Sequence, residues 1–168
     1  MSLLRRTPLP DDVRSRLDLA RGERVLAAGR LTDGWAVATT ADLAVVPTEG
    51  EPVRRAWTDV ATARLDPEGR TVTVTWVDGA TPTVLRLADD GAGRLPAVLR
   101  QCVDSSVVHS ERVVLADRTA VQVVLRRDAD RRLFTQVIGP GGVDLDDPAT
   151  AAAVDAAELR VREAAGLV

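Results

Sequence analysis

The chain has 168 residues, 45% of them hydrophobic and 28% charged, which fits one domain or one domain with a substantial extension. A chain of this length buries roughly 70% of its unfolded surface, so its core needs neither a disulfide nor a metal staple. The formal net charge of -3 excludes a nucleic-acid module built on a basic face, and the lone Cys102 excludes an intramolecular disulfide.

The aromatic share is only 2%, with three Trp, one Phe and no Tyr. The core must therefore be made of Val, Leu and Ala, which suits strands and close-packed small-residue helices. All 22 basic residues are Arg, and the sequence holds no Lys, no Asn and a single Ile, Ile138. The missing residue types share AT-rich codons, so a GC-rich genome explains the bias without any demand for guanidinium groups. The amino-terminal MSLLRRTPLPDD has no apolar h-region or cleavage site, and no stretch approaches the ~20 apolar residues of a membrane span. Together with the single cysteine, this gives a cytoplasmic protein without a transmembrane segment as the expectation.

Residues 1–9 read as a frayed tail. Pro10 to about Ala20 reads as a short helix, with Asp11 and Asp12 in its first turn and Val13, Leu17 and Ala20 along one face. Seven strand-like segments follow: Glu23–Leu31, Trp35–Thr40, Leu43–Pro47, Val53–Trp57, Val60–Leu65, Arg70–Trp76 and Thr83–Leu87. Turns at 32–34, 49–52, 66–69 and 78–79 separate them. The clearest strand is TVTVTW, with Val72, Val74 and Trp76 on one face and Thr71, Thr73 and Thr75 on the other. Short strands at this spacing without intervening helices indicate an antiparallel barrel or sandwich.

After Gly91 and Gly93 the period changes. Leu95, Val98, Leu99, Cys102 and Val103 lie at helical spacing, so residues 94–108 read as an amphipathic helix. Residues 112–168 read as a second unit. Arg118–Arg127 and Arg131–Ile138 form a hairpin across Asp128-Ala129-Asp130. The glycine-rich turn 139–142 then leads to an Ala-rich helix from Pro148 to about Ala165, with Asp147 as N-cap. That helix carries Val154, Ala157, Val161 and Ala164 on one face.

The segments ERVLAAGRL, GWAVATTADLAVV and VRRAWTDVATARL carry a resemblance to bacterial pleckstrin-homology-like (GRAM-like) domains. The likeness covers about residues 23–108. It rests on an opening strand, a strand–turn–strand with Thr40 before the turn, and a strand entering a Trp57-x-x-Val60 turn. The resemblance implies an α+β fold: a β-barrel of two roughly orthogonal sheets, spanning 23–111 with its capping helix, preceded by the tail and short helix of 1–22. Residues 112–168 resemble a hairpin–helix extension of actinobacterial proteins, which agrees with the codon bias and brings no activity. Phosphoinositide-gripping members place several basic residues in the first hairpin loop. Here that loop, 30–34, holds only Arg30 beside Asp33, so no lipid-binding residue is carried over.

His109 is the only side chain titrating near neutrality by default, and Ser105 and Ser106 lie within helical reach of it. A nucleophile–base pair so sketched lacks a glycine elbow and an oxyanion loop, and a Ser/His pair at a helix end reads as a cap. Cys102 falls on the apolar stripe as a core residue. Asp144, Asp146 and Asp147 lack the glycine and closing Glu of a calcium loop, and the 139–142 turn lacks the Lys-Ser/Thr of a phosphate loop. Neither a catalytic group nor a cofactor or metal site is therefore expected. The remaining candidate is Arg126, Arg127, Arg131 and Arg132 at the second hairpin tip, which would hold a phosphate, an anionic lipid surface or an acidic partner. The expectation from sequence is a non-enzymatic interaction or scaffold module with a protein partner. Peripheral contact with anionic ligands through the four arginines is the alternative.

Overall fold

The computed structural model describes residues 8–88, 93–140 and 143–167; residues 1–7 of the expected tail, Gly91, and Gly141 and Gly142 of the glycine-rich turn lie outside them. Helix α1, Asp11–Arg16, is shorter than its sequence pattern. It ends at Leu17, and the positive φ of Asp18 (45°) turns the chain away. Val13 and Leu17 still face inward, as their spacing requires.

Among the described residues, ten strands form three antiparallel sheets. The first joins β1 (Val25–Leu31), β2 (Gly34–Thr39), β3 (Asp42–Pro47) and β4 (Val53–Ala56) in sequence order. A 3₁₀ turn, Trp57–Asp59, leads into the second: β5 (Val60–Asp66), β6 (Thr71–Trp76) and β7 (Thr83–Arg86). Helix α2, Leu95–Ser106, follows. The third sheet contains β8 (Val107–Val114), β9 (Ala120–Arg127) and β10 (Leu133–Ile138), with β9 in the middle, and α3 (Pro148–Ala164) closes the chain.

The first two sheets enclose the main core. Ala27, Leu31, Ala36, Ala38 and Leu43 from one meet Val72, Val74, Leu85 and Leu87 from the other, and Leu95, Val98, Leu99 and Val103 of α2 cover the open side. The sheets touch at one edge through a single bridge, Leu31 to Leu87, flanked by Thr32 N–H to Arg86 O and Ala88 N–H to Arg30 O, each about 3 Å. Among the described residues this bridge is what joins the two ladders, and no continuous closed barrel is detected. The first sheet is apolar on both faces. Its outer side, made by Ala28, Val37, Ala44 and Val46, is covered by Val13 of α1 and by Leu17 at its C-terminal cap. This two-sided burial is why β2 and β3 read as near-continuous apolar runs.

An ion-pair network fastens the α1 segment to that sheet. The Arg54 guanidinium bonds Asp42 Oδ2 and Glu23 and donates to Leu17 O at 2.7 Å. In the third sheet, Val123 and Leu125 pack against Val154, Ala157 and Val161 of α3. Asp147 caps α3 by accepting from Thr150 N–H at 2.8 Å, with Pro148 in the first turn. The Arg160 Nε–H donates to both Glu111 oxygens at 2.9 Å and its Nη2 donates to Oε1 at 2.6 Å, holding α3 to β8.

Two differences from the sequence pattern bear on function. Helix α2 stops at Ser106 rather than continuing to Val108, and residues 107–114 form a strand, so the expected hairpin is a three-stranded sheet. Consecutive β-branched Val107 and Val108 favour extended backbone where the helix ends. No helix among the described residues is long and apolar enough to cross a membrane.

Candidate functional site

The α2–β8 junction brings the third sheet against the first two, and the join is made by a charge. Arg126 is 1% exposed. β9 alternates, so Val123 and Leu125 face α3 while Arg126 points the other way, toward the 3₁₀ turn. Its Nη1 donates to Ser106 Oγ at 2.7 Å and to Trp57 O at 3.4 Å, and its Nη2 donates to Val60 O at 3.0 Å. Nε is buried without an acceptor. Burial pushes the guanidinium pKa down, opposed by the Asp59 carboxylate, yet an arginine keeps its proton at neutral pH. Arg126 is therefore an internal cation held by neutral acceptors.

This corrects the four-arginine cluster expected at the hairpin tip. Arg126 is withdrawn into the interior because the strand alternation sends it there, one residue before the tip begins. Arg127, Arg131 and Arg132 are exposed, as sequence suggested. Within the turn, Asp128 accepts from Arg132 N–H at 2.8 Å and so shapes the loop, while Arg131 has positive φ, 66°.

The expected Ser–His grouping is not assembled. Ser106 is buried, accepting from Arg126 and donating to Val103 O at 2.7 Å. His109 lies on β8 beside Leu125 of β9, exposed, and Ser105 is on the exposed face of α2. The change from helix to strand at Val107 removes the helical spacing that related them. Among the described residues, no three His, Cys, Asp or Glu side chains are grouped to hold a metal ion.

A cleft of about 490 Å³ opens beside the Arg126 join. Its floor is Leu26, Trp57, Val98 and Cys102, widened by the small Ala41 and Ala56. One wall is the exposed edge of α2, with Gln101 and Ser105; the roof is the β9–β10 turn, Arg127 to Asp130; and Arg94 marks the far end. Trp57 is fixed by its indole N–H, which donates to Thr39 O at 3.0 Å. Burial pushes the Cys102 thiol up to about 11, so it is a poor nucleophile at neutral pH. The cleft thus offers an apolar slot with hydrogen-bonding and charged groups at its margin. Its volume lies within the range of small-ligand sites, roughly 300–1,000 Å³.

Compared with known family models, curated proteins and solved structures, the chain matches none.

Sequence reasoning missed the cleft because its residues come from five separate segments. Trp57 carried the one readable signal, a large aromatic in an aromatic-poor chain placed at the turn between two sheets.

Proposed function

We propose that this chain is a non-enzymatic binding module. Its frame is a pleckstrin-homology-like shell of two antiparallel sheets with α2 over the open side, and the β8–β10 sheet with α3 is an extension that builds the binding site. The observation that carries this reading is the placement of the cleft: shell and extension each contribute a wall, so the extension completes a concave apolar site. Non-enzymatic action is supported by the chemistry of the lining, where Ser106 is engaged by Arg126 and the Cys102 thiol is held protonated. The scaffold function read from sequence is thereby narrowed from a whole surface to one cleft. Contact with anionic ligands through the hairpin tip passes to Arg127, Arg131 and Arg132, since Arg126 is committed inside.

The test is a nuclear-magnetic-resonance titration with a library of small apolar fragments. Shifts should concentrate at Leu26, Trp57, Val98, Cys102 and Ser105. Shifts scattered over other faces, or none at all, would sink the reading.

A further inference from the structure

We infer that β5 is a docking edge for an extended segment of another protein. The segment adds to the second sheet as a fourth strand, with an acidic side chain opposite Arg64 and apolar side chains on either side of it. The groove beside this edge shares no lining residue with the cleft.

β5 lies at the edge of its sheet, hydrogen-bonded to β6 alone. One bond fixes which of its backbone groups are free. Leu87 N–H donates to Arg70 O, so Val72 and Val74 turn their backbone groups to β7, while Thr71, Thr73 and Thr75 turn theirs to β5. The residues opposite those three, Asp66, Arg64 and Thr62, are thereby bonded. The N–H and C=O of Ala63 and Leu65 point outward instead. At the start of the strand the outward carbonyl is Val60 O, and Arg126 Nη2 occupies it. Among the described residues, no side chain does the same for Ala63 or Leu65. Another extended backbone supplies N–H and C=O groups at the matching spacing, which is what an open sheet edge recognises.

The side chains agree with a strand in this place. The groove is walled by five consecutive residues of β5, Ala61 to Leu65, and by α2 from Pro96 to Asp104. These spans are roughly 13 Å and roughly 12 Å. Leu65 pairs with Val72 and so shares the core-facing side, yet it is 49% exposed. Residues of an added strand opposite Ala63 and Leu65 would lie on that same side, where Leu65, Pro96 and Ala97 offer apolar contact.

Charge selects the residue between them. Arg100 and Asp104 in the groove pair with each other at 3.6 Å. Arg64 is exposed and has no side-chain partner among the described residues. Asp66, two residues along the same face, accepts from Glu68 N–H at 3.1 Å within its turn, and so wants a neutral residue opposite. A second copy of this chain fits poorly. The antiparallel self-pairing that uses both free residues sets Ala63 against Leu65 of the copy, and Arg64 directly against Arg64 of the copy, a like-charge pair.

A nuclear-magnetic-resonance titration of the full chain with the capped pentapeptide Thr-Val-Glu-Val-Thr tests this. Amide shifts should centre on Ala63 and Leu65 and spread to Ala97 and Arg100. Methylating the backbone nitrogen of both Val residues should weaken binding at least about tenfold. Methylating that of Glu, whose N–H faces away from β5, should leave it unchanged. Replacing Glu by Lys should weaken binding about fivefold, and Arg64→Glu, at an exposed position, should reverse that preference. Circular dichroism melts check that the variant folds. Shifts elsewhere or none at millimolar peptide, equal binding of the Val-methylated peptide, or indifference to Arg64→Glu would overturn the inference. So would a concentration-dependent dimer in sedimentation that the peptide breaks, which would give the edge to a second copy. Trp57 and Cys102 report on the cleft separately, so either reading can fail without the other.

Discussion

The Arg126 guanidinium donates to Ser106 Oγ at 2.7 Å, tying the middle strand of the third sheet to the last turn of α2. The same guanidinium reaches Val60 O on the second sheet, so one side chain holds three elements together. The cleft roof, Arg127 to Asp130, begins at the next residue. Its position over the floor therefore depends on this internal bond set.

Replacing Arg126 with Ala removes the donors of three buried acceptors and leaves a cavity, and should cost about 3 kcal/mol in urea unfolding. Arg126→Met keeps the volume and spares the protein a buried charge, so its loss should be smaller, about 1 kcal/mol. An Ala variant within about 0.5 kcal/mol of the parent would show that the join is held by apolar contact alone.

Much of the fold is legible in sequence. The alternation of TVTVTW placed Val72 and Val74 in the core, and the spacing of Leu95, Val98, Leu99 and Val103 placed a helix over it. Two features were hidden by local ambiguity. Val107 and Val108 continue the apolar helical pattern, so β8 looked like the end of α2 until its pairing with β9 was seen. Arg126 follows the consecutive apolar Val123, Val124 and Leu125, a run that belongs to a strand buried on both faces. The run foretold an inward Arg126, but a charged pair beside a turn reads first as a solvated tip. Joining of the sheets by one bridge rather than a continuous ladder is a matter of edge geometry that no residue pattern encodes.

Gly34 starts β2 with a φ of +152°, and a Cβ there would stand 2.2 Å from Val46 O and 2.8 Å from Pro47 Cα. Both neighbours are backbone of β3, so neither can swing aside. Gly34→Ala should destabilise by at least about 2 kcal/mol. Gly79→Ala is the control: its φ is also positive, +73°, but nothing lies within 4 Å, so only the backbone strain of about 1 kcal/mol is expected. Equal losses in thermal or urea melts would show that crowding at Gly34 is relieved by shifting β3.

The Glu23 side chain is 5% exposed beside Arg54. Burial alone would raise its pKa, but Thr39, the Ala20 N–H bond and the Arg54 guanidinium outweigh that and hold it below its ordinary 4.5. The folded carboxylate then binds protons less readily than the unfolded one. Its stabilisation is complete above pH 4.5 and is lost as pH falls through the lowered value. Glu23→Gln should be less stable than the parent at pH 7, and its stability should change less between pH 5 and 3. Arg54→Ala should also flatten that acid limb and cost about 2 kcal/mol at neutral pH, from its lost bonds to Asp42 and Leu17 O. Parallel acid limbs in parent and variants would place the proton-linked stability elsewhere.

Cys102 reports on the cleft directly, because its thiol lies on the floor and burial holds its pKa near 11 against an ordinary 9.0. The thiolate is the reactive form, so at pH 8 reaction with a disulfide reagent should run roughly a hundredfold slower than for an exposed cysteine. The rate should climb steadily as pH rises toward 11. Stability should fall over the same interval: the unfolded thiol ionises first, so the folded state is disfavoured as pH rises from 9 toward 11. Cys102→Ala should remove the thiol's contribution to that decline. At any fixed pH, an occupant of the cleft should slow the reaction further by covering the sulfur. A thiol that reacts like an exposed one, or whose rate ignores an occupied cleft, would mean that the floor is open to solvent from another side.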